Sequence, residues 1–158
     1  MRDAEIQKKL NLDLMILFSA KFKVQKHGIL KNGKQIRFNN RTKKNFITKN
    51  DLVLALENYL MIKLRQLKII HKIDSPIDCD LNASFTFYFP KSVYFTKKNE
   101  RSKKIPDLDN LLCLPLDCLK KSNIIIDDNI VCGFNGTSRK PIEGNEYILE
   151  IELSGYNG

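Results

Sequence analysis

From Asp80 to Phe89 the chain alternates without a break. Leu81, Ala83, Phe85, Phe87 and Phe89 fall on one side, and Asn82, Ser84, Thr86 and Tyr88 on the other. Successive side chains of a strand project to opposite faces, so this period of two predicts a strand with one apolar face turned to a core. Leu52, Leu56, Tyr59, Leu60, Lys63, Leu64 and Leu67 recur instead at helical spacing. They predict a helix from Thr48 to about Lys68, with Thr48 as its cap and Asp51 at the third helical position. A second helix is expected from Asn110 to about Lys121. Further strands are expected at Leu12–Val24, at Ile124–Ile126 with Val131–Phe134 continuing it, and at Tyr147–Leu153. Residues 135–145 read as a loop. With no regular βαβ repeat, the fold class is α+β: a single domain with a mixed β-sheet packed by two main helices. Residues 1–11 read as a polar tail or short helix, and residues 12–158 as the domain.

The 158 residues suffice for one domain, and 42% hydrophobic with 28% charged residues excludes the disordered class. The formal net charge of +9 points to polyanions, nucleic acid before acidic membrane. Residues 1–104 hold 23 Lys/Arg against 9 Asp/Glu, and residues 105–158 hold 4 against 9. A basic body therefore precedes an acidic segment. From Lys21 to Lys49 there are ten Lys/Arg and no acid. Gly28, Asn32, Gly33 and Asn39-Asn40 should break that stretch into loops or a short hairpin. Its Lys34, Arg37, Arg41, Lys43 and Lys44, with Arg101, Lys103 and Lys104 of a second basic loop (Lys91–Lys104), are the candidate DNA-phosphate contacts. Phe38 and Phe46 suit either base contact or core anchoring, and His27 reads as a surface residue. The apolar run Leu14–Phe18 is far below the ~18–20 residues of a membrane span. Cys79, Cys113, Cys118 and Cys132 form no CxxC pair and have only His27 and His71 beside them, which excludes zinc-finger spacing. Free, mostly buried thiols in a reducing cytoplasm are expected.

Asp107 and Asp109 are two residues apart, so in extended chain both carboxylates approach one point. Alone, the pair reads first as a helix cap and a loop acid. Asp127 and Asp128 alter that reading: the intervening helix rises roughly 18–20 Å at ~1.5 Å per residue, and five to seven extended residues recover about as much. The second pair can return beside the first. Gathered carboxylates repel unless a cation neutralises them, and hard oxygen ligands suit Mg²⁺ or Mn²⁺ rather than zinc. Asp117 and Lys121 form an i, i+4 ion pair on the same helix, and Glu150 and Glu152 line the solvent face of the last strand.

The stretch Pro106-Asp107-Leu108-Asp109-Asn110-Leu111, then Leu116-Asp117-Cys118-Leu119, then Ile124-Ile125-Ile126-Asp127-Asp128-Asn129-Ile130-Val131, resembles the RusA-type Holliday-junction resolvases of bacteria and their phages. The resemblance implies a homodimeric, Mg²⁺-dependent endonuclease that nicks four-way DNA junctions symmetrically during recombination and repair. It implies catalytic and metal-binding roles for Asp107, Asp109 and Asp128, with Asp127 as a neighbouring ligand. Two positions depart from the family pattern. Cys113 stands where a lysine is usual, for which Lys103, Lys104 or Lys120 can substitute, and Pro115 interrupts a helix usually free of proline. The alternative from another class is a non-catalytic or weakly active branched-DNA-binding protein on the same scaffold. A third is a basic assembly protein using RNA as a counterion.

Overall fold

A computed structural model describes residues 15–24, 34–49 and 51–156, with the backbone alone at 34–38, 46–49 and 52. Residues 1–11, Leu12, His27, Gly28, Asn32 and Gly33 lie outside the described residues, as do the side chains of Phe38, Phe46 and Leu52. The elements in chain order are β1 (Ile16–Val24), β2 (Lys34–Asn39), β3 (Lys44–Lys49), α1 (Asp51–Ile70), β4 (Leu81–Pro90) and the single turn α2 (Lys91–Tyr94). They continue with α3 (Leu108–Lys121), a 3₁₀ turn (Asp128–Ile130), β5 (Val131–Gly133), β6 (Ser138–Ile142) and β7 (Tyr147–Gly155).

The alternating strand becomes the organising strand of the sheet. β4 pairs antiparallel with β7, which pairs antiparallel with β1. Along its other edge β4 takes two short parallel partners in succession, β5 at its start and β6 at its end. Leu81, Ala83, Phe85, Phe87 and Phe89 are essentially fully buried, and Leu149, Ile151 and Leu153 of β7 continue the same face. Val53, Leu56, Leu60, Met61 and Leu64 of α1 and Leu111, Leu114, Cys118 and Leu119 of α3 complete the core with them. Burying a side chain of this size is worth about 1.5–3 kcal/mol each, so the apolar alternation of β4 accounts for much of the cohesion between layers. The fold is α+β with a mixed sheet and two main helices, as the sequence predicts.

Several local expectations are corrected. Thr48 does not start a helix: it pairs with Gln35 in the β2–β3 hairpin, so its backbone serves a strand ladder and α1 begins at Asp51. Tyr59 is exposed rather than in the core, because the buried stripe of α1 passes through Val53, Leu60 and Met61. Ile124–Ile126 makes a single parallel bridge, Ile77 to Ile125, and Ile124 and Ile125 plug the core instead of extending a strand. The 3₁₀ turn then separates them from β5. The expected loop at 135–145 contains β6; its Pro141 is tolerated because β6 is an edge strand, where a missing N–H breaks no second ladder. The thiols are free, yet Cys79, Cys113 and Cys132 are exposed and only Cys118 is buried.

Both helices end in the same way. At α1, Ile73 N donates to Lys68 O and Lys72 N to Ile69 O, with Lys72 at φ 53°. At α3, Ile124 N donates to Leu119 O and Asn123 N to Lys120 O, with Asn123 at φ 57°. These are Schellman closures, in which a left-handed residue lets the following turn satisfy otherwise open carbonyls. Pro115 sits buried inside α3. Phe85→Ala, at the centre of the sheet, should lower stability by about 3–5 kcal/mol, read as a lower urea midpoint at unchanged slope.

Candidate active site

Asp107 occupies the residue before α3, with extended backbone (φ −68°, ψ 153°), and its side chain makes no capping bond. Asp109 lies in the first helical turn. Both are exposed, and among the described residues neither carboxylate has a hydrogen-bond or ion-pair partner. The cap-and-loop reading of this pair is therefore not how the helix start is built. Two anions at a helix N-terminus are favoured by its free N–H groups and dipole, which stabilises them without consuming them.

The position of the pair is fixed from behind. Ile105 and Pro106 are buried, and Arg139 Nη1 on β6 donates to Pro106 O at 2.8 Å. β6 itself is registered on β4, Arg139 opposite Phe87. Arg139 is thus a positioning residue for the aspartate loop. The sequence reading missed it because Gly136, Ser138 and Pro141 suggested an irregular segment, and nothing local in the sequence marks the bond from Arg139 to Pro106. Cys113 stands one turn beyond Asp109, its thiol donating back to Asp109 O at 3.3 Å. A lysine there would rise from the same helical face as the acid.

The later pair is held at the other end of α3. Lys120 Nζ lies 3.0 Å from Asp127 Oδ1 and 3.8 Å from Asp128 Oδ1, and Asp128 N donates to Asp127 Oδ1 at 2.7 Å. Along α3 the rise from Asp109 to Lys120 is roughly 16 Å at ~1.5 Å per residue. Ile124 and Ile125 turn into the core, the next residues run beside Ile77–Leu81, and Asp127 and Asp128 are held there by Lys120. Among the described residues no three of the His, Cys, Asp and Glu side chains stand close enough to hold a metal ion. Asp107 and Asp109 offer hard oxygen donors of the right kind for Mg²⁺, and among the described residues no third His, Cys, Asp or Glu joins them in a metal-holding group.

Of the proposed DNA contacts, Arg41, Lys43 and Lys44 are exposed at the tip of the β2–β3 hairpin, where Arg41 N and Thr42 N bind Asn39 Oδ1 at 2.9 and 3.2 Å. Lys34 and Arg37 lie on β2, with their side chains outside the described residues. Arg101, Lys103 and Lys104 are exposed immediately before the aspartate loop. Asp117 pairs with Lys121 at 2.8 Å as expected, and Lys121 also reaches Glu57 of α1 at 2.6 Å, tying the two helices together. Glu150 and Glu152 are half-buried, the former 3.6 Å from Lys21.

The Asp128 side chain, Lys120 and the Asp128 amide hold the Asp127 carboxyl down to about 2. Because the folded value lies below the unfolded one near 3.8, the contact should persist above about pH 4 and be lost as pH falls toward 2. An NMR titration of the Asp127 carboxyl in metal-free buffer should show that low inflexion, and Lys120→Gln should raise it. An ordinary inflexion in the unaltered protein would contradict the arrangement.

A family model described as Endodeoxyribonuclease RusA matches residues 30–153, a span that takes in both acidic pairs, α3 and all of the sheet except β1 and the end of β7. No curated protein matches the chain.

Proposed function

This chain belongs to the RusA endodeoxyribonuclease family, and on that footing we propose that it cuts four-way DNA junctions as a homodimer dependent on Mg²⁺ or Mn²⁺. The observation that carries the reading is the exposed Asp107–Asp109 pair at the start of α3, without a partner among the described residues, inside the matched span and directly after Arg101, Lys103 and Lys104. Cations at that loop and at the hairpin tip neutralise backbone phosphates and release counterions, giving affinity without sequence preference. Free carboxylates beside them then meet the phosphodiester rather than a protein partner. Arg139 keeps the aspartate loop in register with the sheet while a strand is bound. Two copies related by a two-fold axis match the approximate symmetry of a four-way junction and its paired cuts.

A single chain supplies Asp107 and Asp109 as candidate ligands and holds Asp127 and Asp128 on Lys120. Cleavage assayed in EDTA and then across Mg²⁺ and Mn²⁺ titrations tests the metal requirement directly. Asp109→Asn should bind junctions like the unaltered protein while cutting falls about 100-fold or more, about 2.7 kcal/mol in the barrier at 1.36 kcal/mol per decade. Undiminished cutting by that variant would sink the site.

Cys113, and the lack among the described residues of three metal-ligating side chains in one group, favour one second reading, a branched-DNA-binding protein that does not cut. Intact junction at every metal concentration, with binding retained, would support it. Cys113→Lys discriminates further: it should raise cutting, since it returns a cation to the face of Asp109.

A further inference from the structure

Where α1 and α3 end side by side, the surface opens into a cleft of about 570 Å³ lined by Arg65, Lys68, Lys72, Asp74, Lys121 and Asn123, among others. Four of these six are cations and one is an acid. Lys121 is engaged by Glu57 and Asp117, but among the described residues Arg65, Lys68 and Lys72 have no ion-pair partner.

The bland account is that cations near helix C-termini neutralise the negative ends of the dipoles. Here that demand is already reduced. The Schellman turns of both helices satisfy the carbonyls of Lys68, Ile69, Leu119 and Lys120 with main-chain N–H groups. The positive charge therefore exceeds what the helix ends and Asp74 require. Lys72 adds a second, independent sign. It occupies the left-handed position, at φ 53°, where glycine or asparagine sits with less strain; the α3 closure uses Asn123 at the same place. A strained backbone carrying an unpaired cation into a cleft suggests a use for the charge.

We propose that this cleft is a second phosphate-binding site, which grips the backbone of a DNA arm away from the point of cutting. The inference rests on the reading of the protein as a DNA nuclease. Arg65 and Lys68 are roughly 4.5 Å apart in rise along α1 and Lys72 follows just past its end, so the three cations can meet neighbouring phosphates of one strand, which are about 3.4 Å apart in rise. From Lys121 back to Asp107 the length of α3 is roughly 20 Å, so a phosphate held here is not the one presented to Asp107 and Asp109.

The test is fluorescence-anisotropy titration of full-length protein with a labelled four-way junction and a linear duplex, in EDTA, across a KCl series. The variants are Lys72→Asn alone and Arg65→Gln/Lys68→Gln/Lys72→Asn together. Asparagine suits the left-handed backbone, so Lys72→Asn should melt no lower than the unaltered protein and any loss of binding is not a loss of fold. The triple variant should bind at least about tenfold more weakly, with a slope of log K against log salt shallower by about 2–3, near 0.9 per lost phosphate contact. Unchanged affinity and slope on both DNAs would overturn the proposal. If the unaltered protein binds junction and duplex alike, junction selectivity fails while the variant comparison still decides the cleft. Calorimetry with inorganic phosphate separates the sources: phosphate binding lost in the triple variant, with DNA binding unaffected, would assign the cleft to a small anion and overturn the DNA assignment.

Discussion

The structure depends on β4 being covered on one face and paired on both edges. Its five buried apolar side chains require α1 and α3 above them, and its two edges require β7 on one side and β5 with β6 on the other. Those pairings decide where functional groups stand. Thr137 Oγ1 receives Phe85 N at 3.2 Å, and Asn82 and Asn135 bond each other's chain reciprocally, at 3.1 and 2.8 Å. Gly136, at φ 89°, passes so close that a Cβ would lie 2.9 Å from Ser84 Oγ. With the segment from Asn135 to Ile142 pinned in this way, Arg139 meets Pro106 and the aspartate loop inherits the register of the sheet. A change in β4 therefore reaches the acids without touching them.

The same architecture decides how the two acidic pairs are held. α3 runs as one helix with Asp107 and Asp109 at its start and Lys120 in its last turn. The chain could return along it only in extended form, but Ile124 and Ile125 are drawn into the core and take the backbone with them. Core burial of two isoleucines fixes that turn, whereas carboxylates brought together repel one another when no cation is present. Lys120 then supplies the opposite charge that Asp127 and Asp128 need.

Periodicity made the large elements legible. The alternation of Leu81 to Phe89, the helical spacing of Leu56, Leu60 and Leu64, and the motif around Asp107 and Asp109 each declare a conformation through residues close in sequence. What was not legible depends on distant partners. β6 has no strand signature of its own and exists because β4 offers an open edge; Arg139 went unnoticed with it. Thr48 looked like a cap because local chemistry permits it, but the hairpin partner Gln35 claims its backbone. Tyr59 fits the apolar stripe by type, and only the rotation of α1 against the sheet decides that Met61 takes the buried place. Chain reach could license the meeting of Asp109 and Asp128 but could not foresee the burial of Ile124 and Ile125 or the pairing of Asp127 and Asp128 with Lys120.

The uneven charge of the chain acquires a purpose once its pairings are known. Glu150 lies against Lys21, Glu146 binds Lys23 at 2.8 Å, and Glu143 takes Lys91. The acidic segment thus offsets cations on and beside the sheet, where exposed pairs add only about 0–1 kcal/mol each to stability. Their larger effect is on where the net charge remains. Among the described residues Arg41, Lys43 and Lys44 at the hairpin, Arg101, Lys103 and Lys104 before the aspartates, and Arg65, Lys68 and Lys72 in the cleft are left without an acid partner. A polyanion approaching the molecule is attracted more to such unpaired cations than to the paired sheet face. In the proposed reading, a branched substrate held both at the cleft and at the aspartates would be set across the length of α3, a rigid element.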